Sequence, residues 1–70
     1  MKTRAEKFRV TEIYIDSNHD DSYFKNLDDA LHYFIDRVSY YRGINNLDIE
    51  VVYIKDLSSD ETILRYAPYE

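Results

Sequence analysis

The sequence predicts an α+β domain in the order β-α-β-β, a three-stranded sheet with one helix packed on one face. Apolar residues recur at spacings of three and four only between residues 27 and 42, which is typical of an amphipathic helix. β-branched and aromatic residues concentrate in three other segments, which is typical of strands. The 70 residues include one glycine and one proline, and 44% are hydrophobic, so a single folded domain spanning residues 1–70 is expected.

The first strand is expected at about residues 8–15. Phe8 and Val10 share one phase of this segment, while Ile13 and Ile15 share the other. Apolar residues in both phases indicate either a bulge or a strand that is covered on both faces. Residues 16–25 contain mainly Asp, Asn and Ser and are predicted to form an acidic loop.

The helix is expected at about residues 27–42. Asn26 is a good N-cap, and Asp28 and Asp29 fall in the first turn, where the helix dipole favours negative charge. Arg42 falls in the last turn, and Gly43 is predicted to end the helix in the left-handed conformation.

Two further strands, at about residues 47–55 and 62–67, are predicted to form a hairpin. One helix covers only one face of a sheet. Val52 and Ile54 point away from Ile49 and Val51 on an ideal strand, so both faces of the sheet carry apolar side chains. We therefore expect a homodimer that buries Val52 and Ile54, because such a face is too apolar to leave in water.

The composition excludes several functional classes. There is no cysteine, which excludes disulfides, thiolate zinc sites and thiol nucleophiles. Ser17, His19 and Asp20 are close in sequence, but no nucleophile elbow or phosphate-binding loop accompanies them. We therefore expect neither an enzyme nor a cofactor. The net charge of −5 argues against direct binding to nucleic acid or anionic membranes. No leader or membrane-spanning segment is recognisable, so a cytoplasmic protein is expected.

Calcium is the one metal to consider, because Asp16, Asn18 and Asp20 match the first, third and fifth ligand positions of an EF-hand loop. The sixth position is Asp21, where the motif needs glycine, and the twelfth is Leu27, where it needs glutamate. A solvated loop is therefore favoured over a metal site, and no metal is predicted.

Charge is distributed unevenly along the chain. Residues 1–15 carry four basic and two acidic groups, whereas residues 16–36 carry six carboxylates and one lysine. On the helix, acids and tyrosines alternate along one exposed stripe, a pattern suited to binding a basic protein surface. The predicted partner-binding residues are Asp16, Asp20, Asp21, Asp28, Asp29, Tyr33, Asp36 and Tyr40. A secondary acidic patch is predicted at Asp56, Asp60 and Glu61.

The whole chain, from residues 2–7 through Asp60-Glu61-Thr62, resembles the small acidic DNA-mimic inhibitors made by Bacillus phages. That group includes inhibitors of uracil-DNA glycosylase and the host-takeover proteins of SPO1-like phages that block the nucleoid protein HU. The resemblance implies that carboxylates stand in for DNA phosphates on the basic DNA-binding surface of HU, and it also agrees with a two-fold homodimer. The basic start of the chain departs from a mimic and must point away from the partner or pair internally.

Two other interpretations remain open. The target could be a different DNA-binding protein, such as uracil-DNA glycosylase. Alternatively, the domain could be a small structural or regulatory module that binds a partner protein through its sheet.

Overall fold

Five elements make up the fold, in the order β-β-α-β-β. A computed structural model of the chain describes residues 6–70. The elements are β1 (Phe8–Tyr14), β2 (His19–Phe24), α1 (Leu27–Gly43), β3 (Ile49–Asp56) and β4 (Glu61–Tyr66). The strands form one antiparallel sheet in the order β2-β1-β3-β4. The α+β class is confirmed, whereas the three-stranded sheet is wrong by one strand.

The additional strand is β2, which forms within the segment predicted to be an acidic loop. It pairs with β1 along its whole length. The connection is tight: the Tyr14 amide donates to the Asn18 carbonyl at 2.8 Å, and Ser17 has a φ of 76°. Because β2 lies at an edge of the sheet, its polar side chains remain in water, and its charges hinder pairing with another chain.

The hairpin of β3 and β4 is confirmed, with boundaries that differ from the prediction by one or two residues. β3 also pairs with β1, so these two strands form the centre of the sheet. Ile13 pairs with Val51 and Tyr14 with Ile49, so β3 carries one extra residue, Glu50, at this point. This bulge shifts the phase of β3 and turns Ile49 towards the same face as Val52.

The helix begins as predicted and ends differently. Asn26 is the N-cap, and its side-chain oxygen accepts a hydrogen bond from the Asp29 amide at 2.9 Å. Gly43 belongs to the helix and does not adopt a positive φ, so the predicted left-handed cap at this residue is wrong. The left-handed residues come later, at Asn45 (φ 58°) and Asn46 (φ 59°).

The core lies between the helix and one face of β1 and β3. Its buried hydrophobic residues are Val10, Ala30, Phe34, Tyr41, Ile49, Val52 and Ile54. Val52 and Ile54 have no exposed surface at all, so the dimer interface predicted at these two residues is wrong. The physical reason is the bulge at Glu50, which places Ile49 and Val52 on the face that the helix covers.

The uncovered face of the sheet is a mixture of polar and apolar groups. At its centre Thr11 is buried, because it lies between Asp21 on β2 and Tyr53 on β3. Arg9 Nε donates to Thr11 Oγ1 at 3.0 Å, and that hydroxyl donates to Asp21 Oδ1 at 2.7 Å. The polar side chains of Arg9, Thr11 and Asp21 therefore bond to one another on this face.

Candidate functional site

A carboxylate lies in the core beneath the helix. Glu12 on β1 is only 3% exposed. Its Oε1 accepts hydrogen bonds from the Tyr41 hydroxyl at 2.5 Å and from Arg37 Nε at 3.2 Å. Its Oε2 accepts from the Tyr33 hydroxyl at 3.2 Å. Three donors, spaced four residues apart on the helix, therefore surround one charge that the strand supplies.

This arrangement changes the acidity of the groups around it. Burial raises the pKa of Tyr41, and its hydrogen bond to Glu12 raises it further. Burial also raises the pKa of Tyr14, as does the bond from its hydroxyl to Asp20 Oδ2 at 2.7 Å. Burial lowers the pKa of Arg37, but its contacts with Tyr41 and Glu12 outweigh that effect and the net change is upward. All three groups are therefore held in their protonated forms.

The predicted stripe of acids and tyrosines on the helix is present only in part. Asp28, Asp29 and Asp36 are exposed, and we call these three residues the acidic stripe. Their carboxylates have no hydrogen-bond or ion-pair partner within residues 6–70. Tyr40 is also exposed, whereas Tyr33 is half-buried, because its hydroxyl reaches Glu12 and its ring lies 5.3 Å from that of Phe24.

The acids of the predicted loop do not form one cluster. Asp20 and Asp21 are neighbours on β2, so their side chains point to opposite faces of the sheet. Asp20 lies on the helix side with Tyr14, whereas Asp21 lies on the uncovered face. Asp16 accepts hydrogen bonds from the backbone amide and side chain of Asn18, at 3.1 and 3.0 Å, which stabilise the turn. Asp20 alone of these acids lies on the face of the sheet that the helix covers.

The secondary acidic patch serves mainly to build the β3–β4 turn. Asp56 Oδ1 accepts from the backbone amide and hydroxyl of Ser58, at 2.9 and 2.7 Å, and these bonds lower the pKa of Asp56. Asp60 pairs with Lys55 at 3.3 Å. The Glu61 amide donates to Ser59 Oγ at 3.4 Å, whereas its exposed carboxylate has no partner within the described part of the chain.

Several basic groups are engaged by acids within the domain. Arg9 lies 3.9 Å from Asp21 on the uncovered face, and Arg37 lies 3.2 Å from Glu12. Arg65 makes a two-pronged ion pair with Glu70. The basic start of the chain was predicted either to pair internally or to point away, and Arg9 pairs internally. Lys2 and Arg4 lie outside the described residues.

One end of the molecule is apolar at its surface. Ile15, Tyr40, Ile44 and Leu47 are all exposed there, and we call these four residues the apolar end. Ile15 directly follows β1, Tyr40 lies in the last turns of the helix, and Ile44 and Leu47 lie in the segment after it. The acidic stripe, in contrast, begins at the first turn of the helix, so the two surfaces are centred on different parts of the molecule.

No group of three or more His, Cys, Asp or Glu side chains within residues 6–70 is placed to hold a metal ion. Of the residues that match EF-hand ligand positions, Asp16 accepts a hydrogen bond from the Asn18 side chain, and Asp20 accepts one from the Tyr14 hydroxyl. No helix in this part of the chain is long and apolar enough to cross a membrane. Searches of family models, curated proteins and solved structures found no match to this chain.

Sequence reasoning missed the buried network and the apolar end. The signal for the first was available: Glu12 shares the phase of Phe8, Val10 and Tyr14 on β1, and so falls on the inward face. The second had no such signal, since its residues come from three separate segments that meet only in the folded chain.

Proposed function

We propose that this protein is a non-enzymatic DNA mimic that binds the DNA-binding surface of the bacterial nucleoid protein HU and displaces DNA from it. The proposed setting is the cytoplasm of a bacterium infected by a phage. The observation that carries the proposal is the acidic stripe, whose three exposed carboxylates have no cationic partner within residues 6–70. Unpaired anions on a rigid helix complement the Lys- and Arg-lined surface of a DNA-binding protein.

The placement of charge supports this mode of binding. Asp29 and Asp36 are seven residues apart on α1, so they lie about 10 Å apart along the helix axis. Arg37, Arg9 and Arg65 are occupied by internal carboxylates, and this limits repulsion of a basic partner. Exposed Tyr40 adds contact area that loses little conformational entropy on binding.

A gel-shift competition tests the proposal. Purified protein added to an HU–DNA complex is expected to release the DNA, and the release should weaken as salt is raised. The double variant Asp29→Asn, Asp36→Asn should require at least about tenfold more protein for the same release, since each close charge pair contributes 1 kcal/mol or more. If HU keeps its DNA at a large excess of the protein in low salt, the proposal fails for HU.

A matched control separates the acidic stripe from net charge. Glu50→Gln combined with Glu61→Gln also removes two negative charges, but from outside the acidic stripe. Both carboxylates are exposed and lack partners within residues 6–70. This control should compete nearly as well as the unmodified protein. An equal loss in both double variants would show that total charge, and not the stripe, determines binding. A parallel assay with uracil-DNA glycosylase identifies the target if HU is unaffected.

We also propose that the protein is a homodimer, with the interface at β4 instead of Val52 and Ile54. β4 is an edge strand, and Ile63 and Leu64 are exposed on it. The charges of Glu61 and Arg65 cancel on β4, whereas Asp20 and Asp21 give β2 a net negative charge, so β4 is the less protected edge. Sedimentation equilibrium should show a dimer that Leu64→Lys converts to a monomer, while Ile35→Lys on the outer face of the helix leaves the dimer intact. A monomer at all concentrations contradicts the proposal.

A further inference from the structure

The apolar end surrounds an open cleft of about 630 Å³. Four exposed apolar residues, Ile15, Tyr40, Ile44 and Leu47, line it together with Asp16 and Asp48. Its floor is formed by Tyr14, Arg37 and Tyr41, which belong to or adjoin the buried network around Glu12. Because the network fixes these three side chains, the floor of the cleft is preorganised.

The apolar residues around the cleft are well exposed. Leu47 is 61% exposed, Ile15 is 57% exposed and Tyr40 is 52% exposed. Exposed apolar groups that adjoin one another and are bordered by polar residues mark sites where proteins associate. The apolar groups stand on the rim and do not enclose the cavity. This shape suits a segment of another protein better than a small molecule, which a typical site encloses almost entirely.

The charge of the cleft defines the occupant more closely. The positive charge of Arg37 is met by Glu12 beneath it, and its guanidinium lies 4.8 Å from the centre of the Tyr40 ring. Asp48 has no side-chain partner within residues 6–70, and Asp16 accepts only from the neutral side chain and backbone of Asn18. The cleft therefore presents two uncompensated negative charges beside an apolar surface.

We propose that this cleft binds a short segment of a partner protein in which a lysine or arginine stands next to an apolar side chain. The apolar side chain and the methylene stem of the cation cover the rim, while the cationic head reaches Asp16 and Asp48. A second copy of this chain is disfavoured, because a two-fold contact at this end would bring each pair of carboxylates towards its own symmetry mate. Tyr40 borders both the cleft and the surface proposed to bind HU, but the inference rests on the cleft and does not depend on the proposed function.

The probe is an acetylated hexapeptide of alternating lysine and leucine, titrated into the full-length protein. Binding is followed by amide nitrogen–proton correlation NMR. We expect shifts centred on Ile15, Tyr40 and the segment from Ile44 to Asp48. A hexapeptide of alternating glutamate and leucine should leave these signals unchanged, and one of lysine and serine should bind more weakly. Equal binding of the glutamate peptide, or shifts mapped to another surface, overturns the proposal.

Variants on the rim test the assignment of individual residues. Leu47→Ser should raise the Kd by about tenfold, because the variant no longer gains the free energy of burying a leucine side chain when the peptide binds. Asp48→Asn should raise the Kd by about threefold, the effect of one exposed ion pair, and asparagine tolerates the φ of 66° at this position. Ile35→Ser is the control, since Ile35 is 56% exposed but lies outside the cleft. An unchanged Kd in Leu47→Ser overturns the proposal, and so does a concentration-dependent shift of the same signals without peptide.

Discussion

Glu12 links the sheet to the helix through three side-chain hydrogen bonds. A charge placed in a protein interior costs several kcal/mol unless hydrogen bonds and an opposite charge compensate it. Here one cation and two hydroxyls, all from the helix, supply that compensation. Because the three donors meet Glu12 only in one alignment, the network specifies how the helix lies on the sheet, a role that non-directional apolar packing fills less well.

Glu12→Gln tests this role. The glutamine amide has the same size as the glutamate side chain, but it removes the charge opposite Arg37. It also places an N–H donor next to the hydrogen-bond donors of the helix. We expect the free energy of unfolding to fall by roughly 2 kcal/mol, the cost of leaving buried polar groups without partners. Urea denaturation followed by circular dichroism measures the change. Glu50→Gln on neighbouring β3 is exposed and should alter stability by less than about 0.5 kcal/mol. Equal stability of the two variants would contradict the importance of the network.

The same network makes the fold sensitive to alkali. The pKa values of Tyr14 and Tyr41 are raised in the folded protein, so both hydroxyls stay protonated to higher pH there than in the unfolded chain. Their contribution to stability is therefore fully present below about pH 10 and is lost as the pH rises through the folded pKa values. Stability measured in urea should fall steeply above about pH 10.

The variant Tyr41→Phe provides the control for this alkaline effect. It cannot ionise at this position, so the fall in stability above about pH 10 should become shallower, although the protein is less stable at neutral pH because Glu12 loses a donor. The part of the tyrosinate absorbance that Tyr14 and Tyr41 contribute, two of the eight tyrosines, should rise only together with the loss of helix signal. Stability that is flat across this range would show that the two hydroxyls ionise without cost.

At the scale of elements, the end of the helix gives a matched pair of tests. Gly43 lacks a positive φ, and a Cβ built on it meets no atom within 4 Å, so glycine is not needed there. Gly43→Ala should stabilise the protein by about 0.5 kcal/mol, because alanine restricts the unfolded chain. Asn45→Ala should destabilise it by about 1 kcal/mol, because φ there is 58°. Thermal melts measure both, and stabilisation by Asn45→Ala would contradict the structure of this turn.

The helix could be predicted from the sequence because several local signals agree. Asn26, the two aspartates that follow and the spacing of apolar residues all indicate the same start. The strand β2 could not be predicted in the same way, since Asp20 and Asp21 belong to a residue type that is depleted in strands. It is stable because β1 provides a partner along its whole length and because an edge position leaves its charges in water. Pairing with β1 therefore overrides local propensity at this segment.

The candidate site shows where sequence patterns stop being informative. Helical spacing places Tyr33 and Tyr40 on one stripe, yet Tyr33 is held over the sheet by Glu12 and Phe24, whereas Tyr40 lies beside the open cleft. Periodicity defines which residues share a side of the helix, but it does not define how far the sheet extends beneath them. Strand periodicity fails for a different reason. A single bulge reverses the phase of β3, so the alternation pattern assigns Val52 and Ile54 to the wrong face.

At the scale of the whole molecule, the same charges that suit a basic partner act against folding. The net charge is −5, and the carboxylates of the acidic stripe, Asp48, Glu50 and Glu61 are exposed without partners within residues 6–70. Salt screens repulsion among these groups, but it also screens the internal ion pairs. The exposed pairs contribute only about 0.2–1 kcal/mol each, and the Glu12–Arg37 pair, whose carboxylate is buried, is screened less. Because the excess of carboxylates gives a net charge of −5, we expect repulsion to be the larger of the two effects.

We accordingly expect sodium chloride to stabilise the protein. The Tm should rise by a few degrees between about 10 mM and about 0.5 M salt, as the screening length falls from roughly 30 Å to a few ångströms. Asp36→Asn removes one repelling charge from the middle of the helix, so it should raise the Tm at low salt and reduce its salt dependence. Asp29→Asn is the informative contrast, because it also loses a favourable interaction with the helix dipole and should gain less. A Tm that falls with added salt would show that the internal ion pairs affect stability more than the repulsion among the carboxylates of the acidic stripe.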